Sequence, residues 1–303
     1  MTNAPPAASA GSSFPGSSFP GLSSLGSSGP IAFQGRSGAY SDLACRTAYP
    51  GRPTLPCATF EAAIEAVHEG VAELAMLACE NSLAGRVPDI HALLPDSGLH
   101  IVGEHFQRVE HCLLGVPGAV IGDVKRLHTH PVAMGQVRRL IQELGLETVV
   151  EFDTAGAAEL VAGWGRPEDA AVASSLAAEL HGLVILRRNV EDAAHNTTRF
   201  YVAARIPISP PPGLPDTMTT LLFRVRNVPA ALFKALGGFA TNGVNMTRIE
   251  SYMLDGFFSS TQFLLEIDGH PEDAPVARAI EELGFFSEET KRLGVYPRSP
   301  IRG

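Results

Sequence analysis

From residue 31 onward, short apolar runs alternate with stretches of helical periodicity, and that alternation sets the expected fold. Ile31-Ala32-Phe33-Gln34 reads as a strand, and Gly35-Arg36-Ser37-Gly38-Ala39-Tyr40-Ser41 as a turn into a helix over 41–48. Thr59 can cap a helix through Val67 that Gly70 ends, and 74–78 is an apolar strand. Residues 99–102 and 111–116 are further strand candidates. Leu127-His128-Thr129-His130-Pro131 opens a helix with Pro131 in its first turn and Gly145 as its C-cap. On that helix Val137, Leu140, Ile141 and Leu144 share one face, which is therefore core. Asp153 or Thr154 caps the next helix, and Ser174-Ser175 caps one that Gly182 ends before a strand over 183–186. Asn196 then turns the chain into alternating aromatic and aliphatic residues, a buried strand that must insert into a sheet already laid down. This order predicts an α/β class with mostly parallel, doubly wound sheets.

Two segments break the pattern. Residues 1–29 form a Gly/Ser/Pro/Ala tract with a tandem Gly-Ser-Ser-Phe-Pro, no Lys or Arg and nothing to bury, so disorder is expected and a signal peptide is not. Residues 207–217 are rich in proline and read as a linker. Beyond it the order changes to strand 219–225, helix 230–241, strand 244–254, an Asp255-Gly256 hairpin turn, strand 258–267, helix 275–283 and strand 291–296. That βαββαβ order is the ferredoxin-like plan.

Composition narrows the function classes. The 303 residues are 45% hydrophobic and 18% charged, with no apolar run long enough for a bilayer. A net charge of −9 argues against a general nucleic-acid binder, although local arginines and helix N-termini can still hold a small anion. Cys45, Cys57, Cys79 and Cys112 lack zinc-like spacing and are too sparse for a secreted disulfide framework, so reduced cysteines in a cytoplasmic protein are expected. The His128/His130 pair has no third ligand at suitable spacing, and no metal is expected.

Polar clusters fall at strand ends, where α/β proteins gather ligands. Asn196, Thr198 and Arg199 stand at the mouth of one strand, offering an amide, a neutral hydroxyl and a permanent cation suited to carboxylates. Cys79-Glu80-Asn81-Ser82-Leu83-Ala84-Gly85-Arg86-Val87 follows another; Asn81 and Ser82 either bind a ligand or cap the helix that starts near Val87. Thr129 and His130 stand at a helix N-terminus, where an anionic group is favoured.

Together these motifs resemble the prephenate dehydratases of phenylalanine biosynthesis. The family's Gly-Pro-x-Gly-(Ser/Thr/Ala)-(Tyr/Phe)-Ser is similar to Gly35 to Ser41, with Arg36 in place of Pro. Its Glu-Asn-Ser-x-x-Gly-x-Val appears at Glu80 to Val87, and its Asn-x-Thr-Arg-Phe is intact from Asn196 to Phe200. Its Ser-His-Pro-Gln-Ala is altered to Thr129-His130-Pro131-Val132-Ala133. The tail resembles the amino-acid-binding ACT domain, with Ile249-Glu250-Ser251 followed by Tyr252-Met253 where Arg-Pro is usual, and Ala230-Ala231-Leu232 for Gly-Ala-Leu.

The resemblance implies two α/β subdomains over 30–206 with the active site in the cleft between them, then an ACT domain over 218–297. It implies loss of water and CO2 from prephenate, driven by aromatisation, with no cofactor. Thr198 would assist departure of the hydroxyl, and Arg199 would either pair with a substrate carboxylate or brace the loop. Ser41, Asn81, Ser82, Thr129, His130, Asn196 and Phe200 would line the substrate site. L-phenylalanine would bind between paired ACT domains near Asn227, Ala230, Ala231, Leu232, Asn245, Glu250 and Ser251, in a homodimer or homotetramer. Arogenate as substrate, or binding without turnover, are the competing expectations.

Overall fold

The computed structural model describes residues 29–253 and 260–302. The expected disordered tract, all but Gly29, and the Asp255-Gly256 turn lie outside the described residues. Described helices include none long and apolar enough to cross a membrane.

A first lobe runs β1 (Ile31–Gln34), α1 (Tyr40–Ala48), β2 (Thr54–Cys57), α2 (Phe60–His68), β3 (Leu74–Asn81), β4 (Gly85–Arg86), α3 (Pro88–Leu93) and β5 (His100–Arg108). The chain then crosses to a second lobe: β6 (Cys112–Gly115), β7 (Arg126–Thr129), α4 (Pro131–Gly135), α5 (Arg138–Leu144), β8 (Glu147–Val150), α6 (Thr154–Trp164), β9 (Asp169–Ala173), α7 (Ser175–His181) and β10 (Val184–Arg187). It returns as β11 (Thr197–Ala204), which lies antiparallel between β3 and β5. The last unit is β12 (Thr217–Val225), α8 (Ala231–Thr241), β13 (Met246–Met253), β14 (Ser260–Asp268), α9 (Ala274–Phe286) and β15 (Ser287–Pro297).

Several predicted caps are in place. Thr59 Oγ1 accepts from the Ala62 N–H at 3.2 Å, Asp153 Oδ1 from Gly156 at 2.6 Å, and Ser174 Oγ from Ala177 at 3.0 Å. The single helix expected from Pro131 to Gly145 is instead broken at Gln136-Val137. The carboxylate of Asp192, on the segment returning toward β11, accepts from the Arg138 and Arg139 N–H groups at 2.9 and 3.1 Å and so caps a new helix start. The Asp192 N–H in turn donates to the Gln136 carbonyl at 2.7 Å.

Both sheets are mixed rather than mostly parallel, because the chain enters the second lobe and comes back. The second lobe orders β10-β6-β9-β7-β8, with β6 antiparallel to both its neighbours. The first lobe's β2-β1-β3-β11-β5 continues through β15 into β12-β14-β13, one ten-stranded sheet including β4. The junction is a single parallel bridge, Gly294 to Ile101. A Cβ on Gly294 would sit 2.1 Å from the Ile101 carbonyl oxygen, so only glycine allows this approach. One face of the C-terminal sheet carries α8 and α9, whose Phe239 and Leu283 share a core with Phe223 and Leu265 of the strands. The other face, with Met218, Leu222, Leu264 and Tyr296, shares a core with Ile90, Leu94 and Tyr201 of the first lobe.

Candidate active site

The β1–α1 turn of the first lobe meets the second lobe at the N-termini of α6 and α7. Ser174 Oγ donates to the Gly38 carbonyl at 2.6 Å. Gly38 has φ +88, and a Cβ there would stand 3.0 Å from Ala177 Cα, so this contact requires glycine twice over. Arg36, which replaces the family's proline, reaches across to Asp153 at 3.3 Å and Glu159 at 2.7 Å. Between these contacts lies a cavity of about 770 Å³, whose lining includes Arg36, Tyr40, Ser41, His130, Glu151 and Phe152. Of the predicted site residues, Ser41 and His130 are at this cavity.

A second group of predicted residues forms a hydrogen-bonded knot. Asn81, the last residue of β3, donates from Nδ2 to Asn196 Oδ1 at 2.8 Å and to Thr198 Oγ1 at 3.1 Å. Its Oδ1 accepts from the Leu83 and Ala84 N–H groups at 3.0 and 2.9 Å, which fixes which way the amide points. Asn196 is fully buried and donates from Nδ2 to Gln136 Oε1 at 3.0 Å. Gln136 Oε1 also faces His111 Nε2 at 2.9 Å, and His111 Nδ1 faces the Tyr40 hydroxyl at 2.8 Å. Tyr40 lines the cavity, so a continuous run of side chains links the cavity to Thr198. Thr198 itself is half-buried.

Four predicted residues have other duties. Arg199, one step along β11 from Thr198, points to the opposite face. It is 4% exposed and pairs with Glu104 at 2.7 Å and Glu266 at 2.8 Å, so its guanidinium is turned away from the knot and occupied. Of the two expected roles, pairing with a substrate carboxylate does not fit this placement. Phe200 is fully buried in the apolar core beneath β1 and β3 and presents no surface to a ligand. Thr129 is fully buried with its hydroxyl donated to the Val172 carbonyl at 2.8 Å. Ser82 fastens the β11 entry, donating to the His195 carbonyl at 2.9 Å and accepting from the Thr197 N–H at 3.0 Å. Neither Asn81 nor Ser82 caps α3, whose N-cap Val87 has no side-chain bond. His128 is held by carboxylates on both ring nitrogens, Glu151 at 3.0 Å and Asp169 at 3.1 Å.

The residues proposed for phenylalanine separate too. Asn227 and Ala230 lie before α8, whereas Asn245 lies after it and donates to Asp268 at 2.7 Å. Eleven helical residues, about 16 Å of rise, stand between them, so one chain cannot bring both to a single amino acid. Glu250 faces the first lobe, pairing with Arg248 at 2.5 Å and Arg86 at 3.7 Å. Ala231 and Leu232 are half-buried against the core under the α8–α9 face, and the Ser251 carbonyl accepts from Arg86 at 3.5 Å.

Sequence reasoning missed Tyr40, His111 and Gln136 as site members, and Glu104 and Glu266 as the partners of Arg199. Tyr40 lies within the Gly35 to Ser41 motif. His111 and Gln136 carried no local signal, since the bond that joins them spans 25 residues across two elements.

Fold and knot define a two-lobed α/β protein with a cleft between its lobes and a βαββαβ unit behind one of them. The chain belongs to the prephenate dehydratase family: residues 31–207 match the family's prephenate dehydratase model. It is 73% identical over 272 residues to a bifunctional N-acyl-homoserine lactone acylase/prephenate dehydratase of Komagataeibacter europaeus, covering 90% of this chain and 97% of that one. It is 36% identical over 286 residues to arogenate dehydratase/prephenate dehydratase 1 of Arabidopsis thaliana, 90% of this chain and 73% of the relative. Among solved structures, prephenate dehydratase from Arthrobacter aurescens in complex with L-Phe superposes with a TM-score of 0.79 at 30% identity, covering 89% of this chain and 90% of that one.

Proposed function

We propose that the protein converts prephenate to phenylpyruvate, water and CO2, with residues 30–206 as the catalytic unit, 207–217 as a linker and 218–297 as a regulatory ACT domain. The carrying observation is the 3.1 Å bond from Asn81 Nδ2 into Thr198 Oγ1. Because the Thr198 oxygen is already accepting, its own proton is the part left to offer, and no acceptor for it is found among the described residues. A hydroxyl donor of this kind suits a ring hydroxyl that must leave. As the ring carboxylate departs as CO2, its bonding electrons enter the ring and the C–O bond breaks. The leaving oxygen then takes a proton through, or a hydrogen bond from, Thr198. Purified protein given prephenate should release phenylpyruvate; no product from prephenate or from arogenate would sink the dehydratase reading. Arogenate belongs in the same assay because of the Arabidopsis relative.

A second reading has its own observation. Val150 and Phe152 line the cavity while 62% and 86% exposed, an open apolar wall suited to an acyl chain. The Komagataeibacter relative bears an acylase name, so N-acyl-homoserine lactone with detection of free homoserine lactone is the matching assay.

L-phenylalanine is the proposed effector. Because the 227–231 loop and Asn245 lie at opposite ends of α8, a shared site requires the loop of one subunit beside Asn245 of another. A dimer, or a dimer of dimers, with its C-terminal units side by side and antiparallel meets that need. Coupling of ~1–3 kcal/mol is expected, with substrate weakening phenylalanine binding by the same factor as the reverse. Calorimetric titration with and without a non-reacting substrate analogue measures both directions. Absence of heat and of inhibition at millimolar phenylalanine would end the regulatory claim and leave the catalytic one standing.

A further inference from the structure

Two passages of chain join the lobes, residues 109–111 going out and 188–196 coming back, and they are laced together. The Val109 N–H donates to the Asn196 carbonyl at 2.8 Å, and the Val190 N–H to the His111 carbonyl at 3.0 Å. The His111 N–H donates to Glu191 Oε2 at 2.9 Å. His111 is thus fixed in the hinge by its backbone, and the residue is 2% exposed. That ring touches both lobes: Tyr40 of α1 on the first, Gln136 between α4 and α5 on the second.

We propose that His111 is a positioning residue in the hinge, which through Gln136 and Asn196 holds the Asn81–Thr198 pair in place only while its ring is neutral. The proposal deepens the dehydratase reading and rests on it for its kinetic consequence alone. The hydrogen-bond directions are determined by chemistry. Gln136 Oε1 can only accept, so Nε2 carries the ring proton and Nδ1 is the lone pair that accepts from Tyr40. The same Gln136 oxygen accepts from Asn196 Nδ2, and Asn196 Oδ1 accepts from Asn81 Nδ2, which donates to Thr198.

A second proton on the ring changes this order. Nδ1 becomes a donor, and the Tyr40 hydroxyl must turn to the Glu110 carbonyl, 3.2 Å away. The cationic Nε2–H draws Gln136 Oε1 more strongly, and an oxygen shared by two donors then holds the other, Asn196, less well. The slack passes to Asn81 and so to Thr198. The titratable and charged groups around the ring are Tyr40 from α1, Glu191 and Glu110 from the two hinge passages, and Arg108, which faces Glu110 at 3.5 Å and Glu191 at 3.7 Å. Burial pushes the ring below the ordinary imidazole value, against the opposing pull of the Gln136 bond and Glu191. The neutral ring therefore prevails at neutral pH, and the switch falls on the acid side of about 6.5.

Nitrogen-15 NMR of the full-length protein tests this without any turnover. The neutral His111 ring should carry its proton on Nε2, and the side-chain amides of Asn196 and Asn81 should shift with the midpoint of the His111 titration. Gln136→Glu keeps both acceptor contacts and places a carboxylate against Nε2, so the midpoint should move to higher pH, by about tenfold or more in proton affinity. A proton on Nδ1, or a His111 titration that leaves both asparagine amides unmoved, would overturn the proposal. In turnover, the acid limb of kcat should coincide with the NMR midpoint and rise with it in Gln136→Glu. His111→Gln keeps a donor for Gln136 but cannot titrate, and should abolish that limb. An acid limb that persists in His111→Gln would also overturn the proposal. Failure of the wild type to turn over prephenate or arogenate would instead sink the dehydratase reading and leave the NMR outcome to decide this one.

Discussion

Thr198→Val is expected to lower kcat by roughly 10²–10⁴ while the protein keeps its fold. Valine has nearly the shape of threonine and the same preference for a strand, so β11 should form as before. What disappears is one hydroxyl. Asn81 Nδ2 loses its 3.1 Å acceptor but still has Asn196 Oδ1 at 2.8 Å and the Thr197 carbonyl at 3.3 Å. The structural cost is therefore on the order of one ordinary hydrogen bond, about 0.5–1.5 kcal/mol. The kinetic cost should be larger, because in the proposed reaction the hydroxyl acts on a C–O bond that breaks only in the transition state. Thr198→Ser restores the oxygen without the methyl group and should retain far more activity than the valine variant. Comparing kcat and KM for the three proteins at matched folded fraction separates these effects. A folded valine variant as active as the parent would return Thr198 to an ordinary strand residue.

Much of this site was legible because its parts are local. Thr59, Asp153 and Ser174 cap helices in the structure as their positions beside periodic stretches predicted. The Asn81 and Asn196–Thr198 motifs each lie at the end of an apolar strand, and strand pairing brings Asn81 opposite Thr198. The outcome for Arg199 was also legible, through the two-residue period of a strand: if Thr198 faces the knot, its neighbour cannot. The resemblance places both residues at the site, whereas alternation puts them on opposite faces of β11. What could not be read is long-range. Nothing near His111 announces Gln136, and nothing near Gly294 announces Ile101, since each contact exists only after separate elements have docked. The broken helix at Gln136 belongs to the same class, because Asp192 supplies the cap from more than fifty residues away.

Arg199→Leu is expected to destabilise the protein by roughly 3–5 kcal/mol at neutral pH, and the loss should shrink in acid. The residue sits where three parts of the chain converge. Glu104 comes from β5 of the first lobe, Glu266 from β14 of the C-terminal unit, and Arg302 from the turn after β15. Both carboxylates are fully buried. Arg302 reaches Glu104 at 2.8 Å and Glu266 at 2.9 Å, Tyr201 donates to Glu266 at 2.5 Å, and the Ser299 N–H donates to Glu104 at 3.0 Å. With Arg199 removed, Arg302 is the one guanidinium among the described residues still paired directly with the two buried anions, and an uncompensated buried charge is what makes breaking such a cluster costly. Burial alone would push the Glu266 carboxyl up, but Arg199 and Arg302 outweigh it and hold the group below the usual carboxylate range. A carboxylate with a depressed native pKa adds stability above its unfolded value, about 4.3, and loses it as pH falls through the lower native value. In the variant that depression weakens or reverses, so protonating Glu266 relieves the unpaired charge. The two proteins should therefore differ most near pH 7 and converge below about pH 4. Thermal unfolding of both at pH 7 and pH 4 reads this directly. A gap below about 1 kcal/mol at pH 7, or one that widens in acid, would show that the cluster does not join the C-terminal unit to the first lobe in the way its geometry indicates.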